Sequence, residues 1–193
     1  MKNWAIILGA SSGIGAACAK SLAKKGINIY GIYLRKKQNE IDIIKQDLES
    51  FGVDVIFKKG NASNEDTINQ SINELLGLKE VRVKMLIHSI AFGTLKPMID
   101  IDENQLSKKN IDMTLDVMSN NLLYWTQAIF SQKLFSEGSQ IIAMTSAGGR
   151  KNWDNYGAVS LAKSGLESIC RQLSLELAPY KIAVNAIQAG VTD

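Results

Sequence analysis

The sequence is poor in the residues that hold metals and disulfides. It has one histidine, His88, and two cysteines, Cys18 and Cys170, among 193 residues. So few imidazole and thiol ligands make a structural zinc cluster improbable. Both cysteines fall inside predicted helices and lie far apart in the chain, which is typical of buried free thiols in a reducing compartment. We therefore expect no resident metal.

Long runs of a single character are also missing. No apolar run approaches the length of a membrane span, and Met1 leads straight into a predicted strand, so neither a membrane segment nor a signal peptide is expected. Lysines and arginines are scattered among acidic residues for a formal net charge of +3, which does not imply nucleic-acid binding. With 46% hydrophobic and 21% charged residues, the composition predicts one soluble globular domain, with the cytoplasm as its default location.

A glycine-rich turn organises the beginning of the chain. The apolar run 4–8 predicts a buried strand, and residues 16–25 predict a helix. Between them lie Gly9, Gly13 and Gly15, in the pattern G-x-x-x-G-x-G. Glycines allow a sharp turn and leave no Cβ in the way of a ligand, while the helix directs free N–H groups at the same place. The pattern therefore favours a pyrophosphate site over an ordinary strand-to-helix turn.

Strands and helices alternate along the rest of the chain. Further strands are predicted at 28–34, 53–57, 84–88, 140–145 and 182–187, and further helices at 37–50, 65–76, 106–133 and 157–178. This alternation predicts an α/β fold with a doubly wound, Rossmann-type parallel sheet and helices on both faces. Ligands of such sheets bind beyond the carboxyl ends of the strands, where the predicted loops converge.

The end of the second predicted strand is basic. Arg35, Lys36 and Lys37 follow it directly, at the place that faces the adenosine ribose of a dinucleotide. An acidic residue there would bind the ribose 2′-hydroxyl, whereas a guanidinium favours a 2′-phosphate. The pattern thus indicates NADPH, with NADH as the alternative. The other interpretation is that these charges form only the solvated start of the next helix.

Tyr156 and Lys163 lie near the start of the last long predicted helix. Seven residues make nearly two turns, so the two side chains share one face, with an axial gap of roughly 10 Å. The lysine leans back toward the tyrosine, and a nearby ammonium makes a phenol a better acid. Such pairs also occur by chance, but the position after the fifth strand favours a catalytic pair.

Three stretches together carry a family resemblance. The glycine motif, the pair Tyr156 and Lys163, and the segment 184–190 resemble short-chain dehydrogenases/reductases over essentially all 193 residues. Most members have their tyrosine four positions before the lysine, where this chain has Val159. The longer spacing resembles the divergent branch of enoyl-acyl-carrier-protein reductases of bacterial fatty-acid synthesis. The turn 88–92, Asp116 and the pair Ala189-Gly190 resemble the same branch.

The resemblance implies roles for individual residues. The implied catalytic residues are Tyr156, Lys163, Ser146 and Asp116. The implied cofactor contacts are Gly9, Ser11, Ser12, Gly13, Ile14, Gly15, Arg35, Asn61, Ala62, Ser89, Ile90, Ala91, Thr145, Lys163, Gly190 and Thr192. The implied substrate is a trans-2-enoyl thioester on acyl carrier protein or coenzyme A. Asp116 could instead be a solvated helix carboxylate, and we expect His88 to serve packing or a hydrogen bond near the cofactor.

Two features keep other functions open. Ser146 stands where many enoyl reductases have a second tyrosine and where other family members have a catalytic serine, which leaves a carbonyl (3-ketoacyl) reductase as the alternative. The sequence stops at Asp193, where relatives begin the lid over the substrate and a last strand. A truncated enzyme or a lidless, non-catalytic nucleotide-binding scaffold is therefore expected, and a lidless chain should show little activity. The long helices at 106–133 and 157–178 suggest a homodimer or homotetramer, by the same resemblance.

Overall fold

Six parallel strands form the single sheet of the described residues. The computed structural model describes residues 2–102 and 104–190. The strands are β1 (Lys2–Leu8), β2 (Asn28–Tyr33), β3 (Val55–Lys59), β4 (Val81–His88), β5 (Phe135–Ser146) and β6 (Ala183–Ala189). Their order is β3-β2-β1-β4-β5-β6. The order reverses between β1 and β4, which opens a crevice at the carboxyl ends of these two strands.

Six α-helices connect the strands. They are α1 (Gly13–Ala23), α2 (Gln38–Glu49), α3 (Glu65–Gly77), α4 (Lys108–Leu115), α5 (Asn121–Ser131) and α6 (Gly157–Leu177). Two of them begin at side-chain caps, because Asn64 accepts the N–H groups of residues 66 and 67 and Ser107 accepts that of Asn110. None of the helices within the described ranges is long and apolar enough to cross a bilayer.

The sheet is covered on both faces, as the near-continuous apolar strands predict. On one face, Trp4, Ile6 and Leu8 of β1 join a core built with α3, α5 and α6. The intervening Ala5 and Ile7 face a second core, built with α1 and α2. Because side chains alternate along a strand, one short segment supports both layers. The predicted doubly wound α/β fold is confirmed.

Most elements differ from their predicted bounds by one to three residues, and two differ by more. The stretch predicted as one helix over 106–133 contains a π-helical turn at Asp116–Asn120 between α4 and α5. β5 begins at Phe135, five residues earlier than predicted, because Phe135 already pairs with Val83 of β4. An irregular turn with Gly138 at φ +74° separates this pair from the regular pairing that starts at Gln140. The Ser139 hydroxyl stabilises this turn by donating a 2.8 Å hydrogen bond to the Val83 carbonyl. Both features make contacts with distant segments, because Met118 of the π-helical turn packs against α6 and Ser139 binds β4.

Candidate active site

The glycine turn leaves almost no space between β1, α1 and the loop after β4. Gly9 has φ +88°, and a methyl group on it would lie 2.3 Å from the Ser89 carbonyl oxygen. A methyl group on Gly15 would lie 2.1 Å from the Gly9 carbonyl oxygen. Gly13, with φ +52°, instead faces open space. Gly9 and Gly15 therefore allow tight packing, and Gly13 keeps the turn open to a ligand.

The first turn of α1 is suited to an anion. Its N-cap, Ser12, has an extended backbone, makes no side-chain capping hydrogen bond, and is followed by no acidic residue in the first turn. The free N–H groups at this end carry partial positive charge. A pyrophosphate would satisfy these donors without displacing a protein group.

A cavity of about 290 Å³ continues from the glycine turn along the carboxyl ends of β1, β2 and β3. Seven predicted cofactor contacts line it: Gly9, Ser11, Arg35, Asn61, Ala62, Ile90 and Ala91. The Trp125 indole fixes the turn after β3 by donating a 2.8 Å hydrogen bond to the Ala62 carbonyl. The packed glycines, the uncapped helix end and this cavity together fit an extended dinucleotide.

Arg35 stacks on an aromatic ring at the rim of this cavity. Its guanidinium carbon lies 4.0 Å from the centroid of the Phe92 ring, and both residues line the cavity. Stacking of this kind orients a guanidinium without neutralising it. Phe92, Met113 and Val117 were not predicted as cavity residues, because no spacing rule relates the loop after β4 to the helix that follows it.

Ser146 and Tyr156 meet at the end of β5. Their hydroxyl oxygens are 3.4 Å apart, with Tyr156 at the N-cap of α6. Lys163 Nζ donates a 2.7 Å hydrogen bond to the Met144 carbonyl and a 3.5 Å one to the Ile90 carbonyl. Because Ile90 also lines the dinucleotide cavity, Lys163 lies between the wall of that cavity and the end of β5. The catalytic pairing of Tyr156 with Lys163 stays a prediction, since the hydrogen bonds of Lys163 Nζ go to these two backbone carbonyls.

Ser146, Tyr156 and Lys163 form a corner at the end of β5. Burial controls the protonation of the groups around this corner. Lys163 is only 5% exposed, and burial lowers its pKa from the usual value near 10.5 to about 8. His88 is wholly buried, and burial together with the charge of Lys163 lowers its pKa to about 4. Its Nε2 forms a 2.7 Å hydrogen bond with Asn121 Oδ1. His88 is therefore a neutral, buried partner of α5 at ordinary pH.

Two further predicted site residues, Asp116 and Thr145, neither line this cavity nor bind the Tyr156 hydroxyl. Asp116 lies in the π-helical turn beside an outer pocket with Asp112 and Asn120, and burial raises its pKa. The Thr145 hydroxyl donates a 2.9 Å hydrogen bond to Glu167 and lines a separate cavity. The roles of Asp116 and Thr145 stay predictions. Thr192 lies outside the described residues.

A match to a protein-family model shows which family the chain belongs to. A model described as enoyl-(acyl carrier protein) reductase matches residues 9–193. The chain belongs to this family of short-chain dehydrogenases/reductases. The resemblance that the glycine motif and the Tyr156–Lys163 spacing indicated is confirmed.

Individual members of the family match over most of the chain. The enoyl-[acyl-carrier-protein] reductase [NADH] of Nostoc sp. is 30% identical over 89% of this chain and 65% of its own length. The corresponding [NADPH] enzyme of Staphylococcus aureus is 28% identical over 92% and 67%. The 3-oxoacyl-[acyl-carrier-protein] reductase of Synechocystis sp. is 26% identical over 96% and 72%. The chain thus spans about two thirds of the length of these curated relatives.

The fold also matches solved structures of the family. A 3-oxoacyl-[acyl-carrier protein] reductase from Brucella melitensis superposes with a TM-score of 0.85 at 21% identity, over 100% of this chain and 77% of that one. At this identity the likeness supports the fold alone.

Proposed function

We propose that the protein containing this chain is an NADPH-dependent reductase of trans-2-enoyl thioesters carried by acyl carrier protein or coenzyme A. The observation that carries the proposal is the placement of Tyr156. Its hydroxyl lies beside Ser146 at the end of β5. Val159, at the position most family members give to tyrosine, is 5% exposed and packs against Met118 and Ala162. The chain thus offers its phenol at the spacing that resembles enoyl reductases.

The residues of the cavity suggest roles in cofactor binding, and those at the end of β5 suggest roles in catalysis. When bound, NADPH would supply the hydride that reduces the β-carbon of the enoyl group. Tyr156 would donate a hydrogen bond to the thioester carbonyl oxygen, where negative charge develops. Lys163 would hold the nicotinamide ribose and, by its charge, favour proton release from Tyr156. Gly13, Ile14 and Gly15 would present the backbone to the pyrophosphate.

The first test compares two substrate classes in the full-length protein. With NADPH, we expect crotonyl-CoA or a longer enoyl thioester to be reduced with a kcat/KM at least tenfold above that for acetoacetyl-CoA. The physical reason is that hydride addition to an enoyl thioester leaves an enolate, whose oxygen needs one stabilising hydrogen bond and whose α-carbon then takes a proton from solvent, whereas a ketone must receive its proton on oxygen from a well-placed tetrad. Oxidation of NADPH is followed at 340 nm, with product identified by mass spectrometry.

Carbonyl reduction is the second candidate because of Ser146. A serine hydroxyl 3.4 Å from the Tyr156 hydroxyl is suited to bind the same ketone oxygen. Preferential reduction of acetoacetyl-CoA would favour this candidate and contradict the first. Dinucleotide binding with turnover of neither thioester would favour the non-catalytic scaffold.

Arg35 is proposed to select NADPH. Charge-assisted hydrogen bonds contribute roughly 1.5–3 kcal/mol, so we expect the full-length protein to bind NADPH about tenfold or more tightly than NADH. Arg35→Ala should remove this preference by weakening NADPH binding alone. Fluorescence titration with both cofactors measures the ratio.

A matched lysine tests whether the effect is local. Lys45 lies on α2 in a surface pair with Glu49, so Lys45→Ala removes an equal charge without touching the cavity. The preference should survive in this variant. Equal affinities for the two cofactors in the unmodified protein would refute the role of Arg35.

We further propose a homo-oligomer. Tyr124 on α5 and Leu161 and Leu175 on α6 leave between 39% and 71% of their surfaces exposed. Apolar side chains on neighbouring helices support a helical contact between copies.

A further inference from the structure

A single carboxylate on α6 binds the chain on both sides of Ser146. Glu167 Oε1 accepts a 2.9 Å hydrogen bond from the hydroxyl of Thr145, the residue before Ser146. Glu167 Oε2 accepts a 2.9 Å hydrogen bond from Nη2 of Arg150 and a 3.3 Å one from its Nε. The two partners are five residues apart, so the carboxylate spans the turn that follows β5.

The position of Glu167 on α6 brings the turn after β5 next to Lys163. Glu167 comes one helical turn after Lys163, so both point to the same side of α6. A methyl group on Gly149 would lie 3.4 Å from Lys163 Cβ and 3.6 Å from Glu167 Oε1, which places the turn against both side chains. The Ser164 hydroxyl adds a 2.8 Å hydrogen bond to the Gly149 carbonyl.

The same carboxylate is buried and charged. Its side chain is only 9% exposed, whereas that of Arg150 is 72% exposed. Burial would raise the pKa of Glu167, but the hydrogen bonds from Arg150 and Thr145 lower it below the usual range. A buried carboxylate with both oxygens occupied holds its partners in a fixed geometry.

The segment 147–155, whose first part is held by these contacts, packs against the Tyr156 ring. A methyl group on Gly148 would lie 2.2 Å from Tyr156 Cε1, so the ring rests directly on this backbone. The ring also contacts Trp153 edge to face, with centroids 5.0 Å apart, and the same methyl group would lie 2.8 Å from Trp153. A shift of the segment would therefore move the phenol relative to Ser146 and Lys163.

We propose that Glu167 is a positioning residue, which binds Thr145 and Arg150 so that the Ser146 and Tyr156 hydroxyls stay together beside Lys163. This inference rests on the proposed reductase function of that corner. It assigns no chemistry to Glu167 itself, because its two oxygens are occupied by Thr145 and Arg150.

Glu167→Gln tests the proposal in the full-length protein. Glutamine keeps an oxygen for Thr145 but loses the charge that holds Arg150. Since a misplacement of about 1 Å can cost 10²-fold in rate, we expect kcat to fall by about 10- to 100-fold while KM for NADPH stays within twofold. Arg150→Met should give a similar loss, Arg150→Lys should recover part of it, and Arg150→Met with Glu167→Gln should lose little more than either change alone.

A matched pair far from the corner serves as the control. Glu137→Gln breaks the exposed 3.0 Å pair between Glu137 and Lys181 by the same substitution, and should leave kcat unchanged. An unchanged kcat in Glu167→Gln would overturn the proposal. So would a kcat loss that comes with an equal loss of NADPH binding and a lower melting temperature, since that would indicate general destabilisation.

A readout without turnover separates this inference from the proposed function. Of the three tryptophans in these 193 residues, Trp153 is 49% exposed and Trp4 and Trp125 are 2% and 0% exposed, so a difference in acrylamide quenching between a variant and the unmodified protein reports chiefly on Trp153. We expect Glu167→Gln, but not Glu137→Gln, to raise the quenching constant at least 1.5-fold. If the unmodified protein reduces neither thioester, the proposed function fails and this result alone decides whether Glu167 holds the segment. An unchanged quenching constant overturns the inference.

Discussion

Replacing Tyr156 with phenylalanine is expected to lower kcat for an enoyl thioester by about 10²–10³-fold, with NADPH affinity unchanged. The substitution removes one hydroxyl group, the one that lies 3.4 Å from that of Ser146. The ring keeps its contacts with Gly148 and Trp153, so the fold and the segment before α6 should be preserved. Steady-state kinetics with varied thioester and varied NADPH separate the two effects.

Controls for this variant come from the same chain. Tyr124→Phe removes an exposed phenol hydroxyl on α5, and its kcat should equal that of the unmodified protein. Ser146→Ala should cost less than Tyr156→Phe if the enoyl reaction is the right one, because Tyr156 then carries the contact with the thioester oxygen. Near-normal turnover in Tyr156→Phe together with none in Ser146→Ala would show that the proton chemistry has been assigned to the wrong residue.

The sheet could be predicted because its signal is local and repeated. Each apolar run is short, each is followed by a turn, and amphipathic helices lie between them, which leaves few topologies open. The glycine spacing carried further information, since Gly9 and Gly15 occupy positions where a side chain would collide with backbone. The carboxyl-end crevice followed from the strand ends, whereas the seven predicted cofactor contacts that line its cavity came from the family resemblance.

Features that depend on contacts between distant segments could not be predicted. The π-helical turn at Asp116–Asn120 lies against α6, where Met118 packs on Val159 and Ala162, and its own sequence gives no sign of it. Likewise, Phe92 contacts Arg35 across 57 residues of chain. The spacing rule placed Tyr156 and Lys163 on one side of a helix. The contacts of the Glu167 carboxylate with Thr145 and Arg150 could be found only from the three-dimensional structure.

Turnover should also depend steeply on the protonation of Lys163. Burial lowers the pKa of this residue to about 8, so the ammonium loses its proton as the pH rises through that value. We expect kcat/KM for the enoyl thioester to fall by about tenfold per pH unit above pH 8, because the charged form holds the ribose and supports Tyr156. The acidic side should stay flat down to about pH 5, since His88, with a pKa of about 4, remains neutral there.

Lys163→Arg and Lys163→Met separate charge from structure in this profile. Arginine stays protonated at every accessible pH, so the alkaline fall should disappear even if its bulk lowers the plateau. Methionine keeps the apolar stem but donates no hydrogen bond to the Met144 carbonyl, and should lose both NADPH affinity and turnover at all pH values. A fall that keeps its midpoint near pH 8 in Lys163→Arg would assign the titration to another group. A flat profile up to pH 10 in the unmodified protein would show that the buried ammonium is not needed in its charged form.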